Sequence, residues 1–313
     1  IHRCRRYIIT KRFRLKVPTM DSPVVLAVPT GWSRNELERT AQIFFEQFNV
    51  PGIYIAEKPL LAAYGCGVLT GLVIDIGHNF TDITPILDST VQGHALQRLA
   101  LAGAHVEERL LEVLRQDSGA TSTLGDKLDL SFCRYVKERH FDLTRLNAKG
   151  ELATNDTKPI ELTYQDIKVS LNPRILQTIE VLFSPGLTNQ YSLDLLAAIE
   201  RAILLCDFDK RTALWDSFIL TGGLSMMKGF QAHLELRLKS ILPCSDNFGD
   251  SQVQEVKFIK IPDYFSKFKD RPDYMAYLGA TIAAKLVFVD PKNYVNKVDY
   301  NETGPAAISS KGV

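Results

Sequence analysis

The chain lacks any apolar run approaching the ~20 residues of a membrane-spanning helix, and no membrane partner is expected of it. It lacks a charge imbalance as well. A net charge of +1 argues against a nucleic-acid clamp along the whole chain, so any contact with DNA would be regional. Paired cysteine spacings are missing: Cys4, Cys66, Cys133, Cys206 and Cys244 stand far apart, which disfavours a zinc motif or a small disulfide framework and points to a reducing compartment, cytosol or nucleus. The 6 histidines show neither His-x-x-x-His nor Glu-x-x-His spacing, so no metal site built from protein ligands is expected. The first residue is Ile1 rather than methionine, and a piece of a longer protein is expected.

What is present is an ordinary globular composition, 45% hydrophobic and 23% charged over 313 residues, enough for roughly two domains with substantial cores. The most informative stretch runs Gly71-Leu-Val-Ile-Asp-Ile-Gly77 and continues through Thr81-Asp-Ile-Thr-Pro-Ile-Leu87. Leu72-Val73-Ile74 predicts a buried strand with Asp75 where it runs out, and Gly77 lets backbone approach a phosphate. A second strand over 80–87 closes at Asp88-Ser89. Such a hairpin holds a carboxylate and a glycine on a rigid support suited to a nucleotide phosphate and its metal. Taken alone, Asp-x-Gly is more often a plain tight turn.

Residues 1–20 carry Arg3, Arg5, Arg6, Lys11, Arg12, Arg14 and Lys16 without an acid, as transit peptides, nucleic-acid arms and solvated helix ends do; the last is preferred. Pro23-Val-Val-Leu-Ala-Val28 predicts a strand, and Ser33 with Glu36 a capping box. Leu37, Ala41, Phe44, Phe45 and Phe48 form the apolar face of the helix that follows, which Asn49-Val-Pro-Gly52 stops. Ile53-Tyr-Ile-Ala56 is a further strand, and Pro59 opens a helix ending at Gly65-Cys-Gly67. Beyond the hairpin, 91–101 reads as a third strand. Gly103 then sits at a strand-to-helix corner, where ligands commonly meet backbone, and its helix carries Val106, Leu110, Val113 and Leu114. The segment 124–140 reads as one helix with Leu128, Cys133, Tyr135 and Val136 inward and Lys137 and Glu138 near its end.

A polar hairpin tip or exposed loop is expected over 147–159, a strand at Ile160-Glu-Leu-Thr163, a helix turn over 177–183 and an amphipathic helix over 192–205. The second informative stretch is Asp216-Ser-Phe-Ile-Leu-Thr-Gly-Gly-Leu-Ser-Met-Met-Lys-Gly-Phe230, a strand, a diglycine turn and a helix with Phe230, Leu234, Leu238 and Ile241. Backbone at Gly222 and Gly223 can pass close under a ligand. The unit echoes Asp21-Ser-Pro-Val-Val-Leu and its helix. A duplicated strand-turn-helix unit in two lobes would leave a cleft for a nucleotide.

In order and spacing, Val73-Ile-Asp-Ile-Gly77, Thr81-Asp-Ile-Thr-Pro-Ile86, Leu101-Ala-Gly103, Leu220-Thr-Gly-Gly223 with Lys228-Gly229, Tyr277-Leu-Gly279 and Tyr300-Asn-Glu-Thr-Gly-Pro305 resemble actin, from about residue 21 onward. Sugar kinases and heat-shock ATPases share that fold without the closing Tyr-x-x-x-Gly-Pro signature. Within the family, Gly31-Trp-Ser-Arg-Asn-Glu-Leu-Glu38, the Thr81 motif and Ile261-Pro-Asp-Tyr-Phe265 resemble the ninth class of fungal nuclear actin-related proteins, subunits of chromatin remodellers. The resemblance implies an α/β, two-lobed actin-like fold with a duplicated ribonuclease-H-like core and a cleft. It also implies that another phosphate hairpin and a small outer subdomain precede Ile1. It divides the chain into an incomplete subdomain 1 over 1–66, a first part of subdomain 3 over 67–101, subdomain 4 over 102–187, a second part of subdomain 3 over 188–275, and a return to subdomain 1 over 276–313.

Carried over residue by residue, the resemblance gives Asp75 and Gly77 to the phosphate hairpin, Gly103 to the ribose corner, Lys137 and Glu138 to the purine side, and Gly222 and Gly223 to the adenosine turn. Four departures accompany these matches. The glutamine that orients the attacking water falls on Lys58, the acid after the hairpin glycine is His78, the tyrosine against the adenine is Met227, and a lysine on the same wall is Asp273. A lysine has donors only and cannot accept a hydrogen bond from water as an amide oxygen can. No hydrolysis, no catalytic residue and no required cofactor are therefore expected, with ATP held weakly. The implied role is a structural subunit of a nuclear remodelling complex of SWI/SNF or RSC type. Its groove at Tyr64, Ile282, Leu286 and Phe288 would take a helix of the remodeller ATPase subunit, beside a second actin-related protein and other subunits, with DNA or the nucleosome met indirectly. Ordinary packing is the alternative for those four side chains. For the whole chain the alternatives are an ATP-hydrolysing or filament-forming actin and, with no catalytic aspartate found for it, a small-molecule kinase.

Overall fold

The computed structural model describes residues 22–152, 156–184, 186, 193–242 and 256–311. The basic residues read as a helix end, together with Cys4 and Cys244, lie outside the described residues. Cys66, Cys133 and Cys206 are free and buried. The chain forms two compact units, the first from 1–68 and 275–313, the second from 69–274.

In the first unit, valine-rich β1 (Val24–Val28) lies parallel to β2 (Gly52–Glu57), with Leu26 opposite Ile55. Parallel neighbours need a crossover, and α1 (Arg34–Gln42) supplies it. Ser33 and Glu36 form the expected capping box at its start. A π-helical turn over Ile43–Gln47 extends it, and Phe44, Phe45 and Phe48 are all buried. The helix α2 (Lys58–Cys66) carries Pro59 in its first turn and stops on Gly67 at φ 75°, a conformation glycine adopts without cost. A short strand, Val295–Asn296, adds antiparallel to β2. Tyr300 of the closing signature stacks on Phe45 at 4.4 Å and donates its hydroxyl to Glu46 at 2.9 Å. Burial, and then that bond to a carboxylate, push its pKa up to about 12.

The second unit is organised on β3 (Gly71–Ile76). Its partner β4 (Thr81–Leu87) is antiparallel, and Asp75 stands opposite Asp82. The segment 91–101 is not one strand. It divides into β5 (Thr90–Val91), a 3-10 turn at Gly93–Ala95 and β6 (Gln97–Leu99), because the chain returns along β4 in two separate pairings and the polar Gln92-Gly93-His94 stretch leaves the ladder between them. Next come α3 (Gly103–Gln116), α4 (Ser118–Leu124) and α5 (Leu130–His140). The single helix expected over 124–140 is interrupted: Gly125 takes φ 51°, and Asp129 starts a new helix by accepting from the Phe132 amide at 2.8 Å.

The loop over 147–159 is tied at its described ends, by pairing of Leu146 with Leu152 and by Arg145 on Asp156 at 2.6 Å. A hairpin follows, β7 (Ile160–Tyr164) with β8 (Ile167–Leu171), whose two-residue turn puts Gln165 and Asp166 at φ 46° and 66°. The strand β8 was not expected. The helix turn over 177–183 proves to be a longer 3-10 stretch, Pro173–Leu182. The amphipathic helix expected over 192–205 is α6 (Leu195–Leu204), followed by the unforeseen α7 (Phe208–Trp215). Then β9 (Phe218–Thr221) joins β3 in parallel, and α8 (Phe230–Lys239) follows. Ile74, Ile76 and Ile83 of the sheet share one core with Val106, Leu110 and Leu114 of α3 and with Phe132 and Val136 of α5.

In the first unit the helix Met275–Val287 meets α2 almost backbone to backbone. A Cβ on Gly279 would stand 1.7 Å from the Leu61 carbonyl oxygen, and one on Gly65 2.3 Å from that of Met275. Overpacking of this kind costs roughly 1–3 kcal/mol. Gly279→Ala is therefore expected to lower the thermal midpoint of the protein, measured by scanning calorimetry, whereas Gly67→Asn, at a left-handed helix stop with open space around it, should change it little.

Candidate functional site

The hairpin of β3 and β4 turns through four residues, and the Gly77 amide closes the turn by donating to the Phe80 carbonyl at 3.0 Å. The first amides of α3 then seat on that tip: Gly103 N–H donates to the Gly77 carbonyl at 3.1 Å and Ala104 N–H to the His78 carbonyl at 2.7 Å. Helix starts leave amides without partners inside the helix, and here the hairpin satisfies two of them. A Cβ on Gly103 would stand 3.0 Å from Lys137 Nζ and 3.2 Å from the Gly77 oxygen, which is why this corner takes a glycine.

Behind the corner lies a buried carboxylate. Glu107 is 2% exposed, and its Oε1 accepts from Lys137 Nζ at 2.6 Å. Arg134 clasps both of its oxygens, Nε to Oε1 and Nη2 to Oε2, at 3.2 Å each. Lys137 also donates to the Gly103 carbonyl at 3.1 Å. Arg134 Nη2 lies 3.3 Å from His78 Nε2, and since a guanidinium only donates, that nitrogen must be the acceptor. The other ring nitrogen of His78, Nδ1, lies 3.7 Å from Glu107 Oε1. Burial works against the charged form of Glu107, but the hydrogen bonds from Arg134 and Lys137 outweigh it and hold the carboxyl below the usual glutamate range.

The facing wall comes from the turn after β9. Gly222 has φ 93°, and a Cβ there would stand 2.4 Å from the Ile76 oxygen and 2.7 Å from Asp75 Oδ1, so backbone must pass there bare. Gly223 has nothing within 4 Å of its Cβ position. Leu224, Met226 and Met227 continue the wall, and Arg271 closes it, paired with Asp273 through two bonds of 2.9 and 2.8 Å. Together these groups line a pocket of 350 Å³. That volume lies within the roughly 300–1,000 Å³ common for small-molecule sites. Its lining combines an apolar methionine and leucine wall with fixed ion pairs.

The actin family model matches residues 4–313. The chain belongs to the actin family. It is 28% identical over 299 residues to a Dictyostelium discoideum protein named as an actin, covering 94% of this chain and 73% of that one. It is 29% identical over 279 residues to actin-related protein 7 of Arabidopsis thaliana, covering 88% and 71%. To actin-related protein 2 of Saccharomyces cerevisiae it is 25% identical over 304 residues, covering 96% and 75%.

With the actin fold in place, the residues named from sequence fall as follows. Gly77, Lys137, Glu138 and Gly223 line the pocket. Gly103 stands directly behind Gly77 and Lys137, while Gly222 packs on Asp75. Asp75 is half-buried in β3 rather than beyond its end. Met227 and Asp273 are on the wall. Lys58 opens α2 in the first unit. Glu107 and Arg134 escaped the sequence reading. A signal existed, since Glu107 shares the inward stripe of Val106, Leu110 and Leu114, and Arg134 precedes Lys137 by one helical turn. Among the described residues, no group of three or more His, Cys, Asp or Glu is placed to hold a metal. The proposed groove residues belong to the first unit. Ile282 and Leu286 are one turn apart on Met275–Val287, Leu286 is 68% exposed, Phe288 packs edge-on against Tyr294 at 5.0 Å, and Tyr64 is half-buried on α2.

The sign of the Glu107 shift sets an acid dependence. A carboxyl depressed by folding stabilises the protein above its unfolded value, 4.5, and loses that contribution as pH falls through the folded value. Glu107→Gln should be about 1.5–3 kcal/mol less stable than wild type at pH 7. Thermal scans at descending pH should show this difference shrinking below pH 4.5.

Proposed function

We propose that the chain is a structural, non-hydrolysing actin-related subunit of a nuclear chromatin-remodelling complex of the SWI/SNF or RSC type, with the signature of the ninth class of fungal nuclear actin-related proteins. His78 carries this reading. In the hairpin of an actin an acid follows the glycine; here an imidazole follows Gly77, with its two nitrogens turned to Arg134 and Glu107. Such a group brings no negative charge to a metal, and with both nitrogens turned to protein groups it offers a water no free acceptor; phosphoryl transfer to water draws on both. Lys58, where the family has its water-orienting glutamine, offers donors only. Two of the relatives are themselves named actin-related proteins, which supports a role of that kind.

In this role, contacts replace turnover. The groove at Tyr64, Ile282, Leu286 and Phe288 receives a helix of the remodeller ATPase subunit, a second actin-related protein sits alongside, and further subunits connect both to the nucleosome. ATP is held weakly and is not required. Affinity purification of the tagged chain from its native nuclei, followed by mass spectrometry, should recover a remodeller ATPase and a second actin-related protein. Recovery of filaments of this chain alone overturns the proposal.

The purified protein should release no phosphate from ATP above background; turnover that disappears in Asp75→Asn would show that the site is an ATPase after all. For the groove, Leu286→Asp places a carboxylate on a side chain 68% exposed, so the thermal midpoint should stay near wild type. Against an apolar partner helix the same carboxylate would cost about 2–7 kcal/mol, enough to lose a micromolar complex. Retention of the ATPase-subunit helix at wild-type affinity removes the groove assignment.

A further inference from the structure

Two neighbours fix the side chain of Arg271. Its Nε and Nη2 donate to the two carboxylate oxygens of Asp273 at 2.9 and 2.8 Å, a fork that holds the guanidinium in a set plane. Its central carbon stands 4.4 Å from the ring centre of Tyr274, well inside the roughly 6 Å reach of a cation–π contact. Backbone bonds prepare both contacts. The Tyr274 amide donates to the Arg271 carbonyl at 2.9 Å, a turn that brings residues 271 and 274 together. Thr221, the last residue of β9, donates its hydroxyl to the Pro272 carbonyl at 2.7 Å and so fastens this turn to the strand that leads into the wall over 222–227.

One edge of the guanidinium is thus taken by Asp273 and one face by Tyr274, yet the side chain is 46% exposed and lines the pocket. What it has left to present is its second flat face. The same pocket is lined by Leu224, Met226 and Met227, apolar side chains that suit an aromatic ring. A mobile arginine gives up rotamer freedom when it lies flat on a base; this one has given it up on folding.

We propose that Arg271 is a base-stacking residue: held flat by Asp273 and Tyr274, it is the platform on which the pocket receives the planar ring of a purine nucleoside. This rests on the reading of the pocket as a degenerate adenine-nucleotide site. It deepens that reading by naming a contact outside the residues carried over from the family, one made to the face of the ring and not to its edge.

The test is titration calorimetry of adenosine, with ATP as the reference ligand, on wild type, Arg271→Ala and Arg271→Lys at neutral pH and fixed salt. Adenosine is uncharged, so its affinity reports on the base and not on attraction of phosphate. Arg271→Ala removes the platform and should weaken adenosine about tenfold. Arg271→Lys keeps the charge but loses the plane, and should weaken adenosine nearly as much. Thermal melts check folding, and if Arg271→Ala melts early, the lysine variant decides. Adenosine affinity in Arg271→Lys within about twofold of wild type overturns the inference and leaves the nucleotide pocket standing, as does a wild type that binds ATP but not adenosine. A wild type that binds neither ligand overturns both.

Discussion

A carboxylate withdrawn almost wholly from water keeps its charge only if cations and donors close around it, and Glu107 meets that condition with Lys137 at 2.6 Å and the two-bond clasp of Arg134 at 3.2 Å. The constraint spreads outward from there. It fastens α5 to α3 through their side chains, and Lys137 carries it to the Gly103 carbonyl at the start of α3. The first amides of α3 then hold the hairpin tip by its Gly77 and His78 carbonyls. Hairpin, helix start and basic helix thus form one hydrogen-bonded assembly, and the pocket takes its shape and its charge balance from it.

The first unit depends on a different contact, the approach of α2 and Met275–Val287 through Gly65 and Gly279, where no side chain fits between the backbones. Close helix contact of this sort leaves neighbouring apolar side chains of the later helix to face outward, Leu286 among them. An outward apolar side chain on this closely packed helix pair is what the proposed partner groove calls for.

Membership of the actin family carries the fold, and it leaves open which of the family's activities a given chain retains. The decision rests on individual positions. Gly222 and Gly103 are retained where backbone must pass bare against the hairpin and against Lys137. On the proposed reading, His78, Lys58, Met227 and Asp273 stand where the family has groups that touch water, metal or base.

Several elements were legible in the sequence because their causes are local. The Ser33 and Glu36 capping box, the Gly67 stop and the apolar runs of β3 and β4 each depend on residues within a few positions of one another. The break at Gly125 was equally local but was hidden by an apolar pattern continuing on both sides. The return strand beyond β4 was misjudged because its two pieces are set by their partner and not by their own propensity. The order of glycine-bearing motifs was enough to determine the family. Sequence alone did not reveal the buried charge cluster, since Glu107 meets partners 27 and 30 residues away on another helix. Whether a glutamate on a mostly apolar stripe is solvated or paired depends on which helix packs over it, and only the closed tertiary structure decides that.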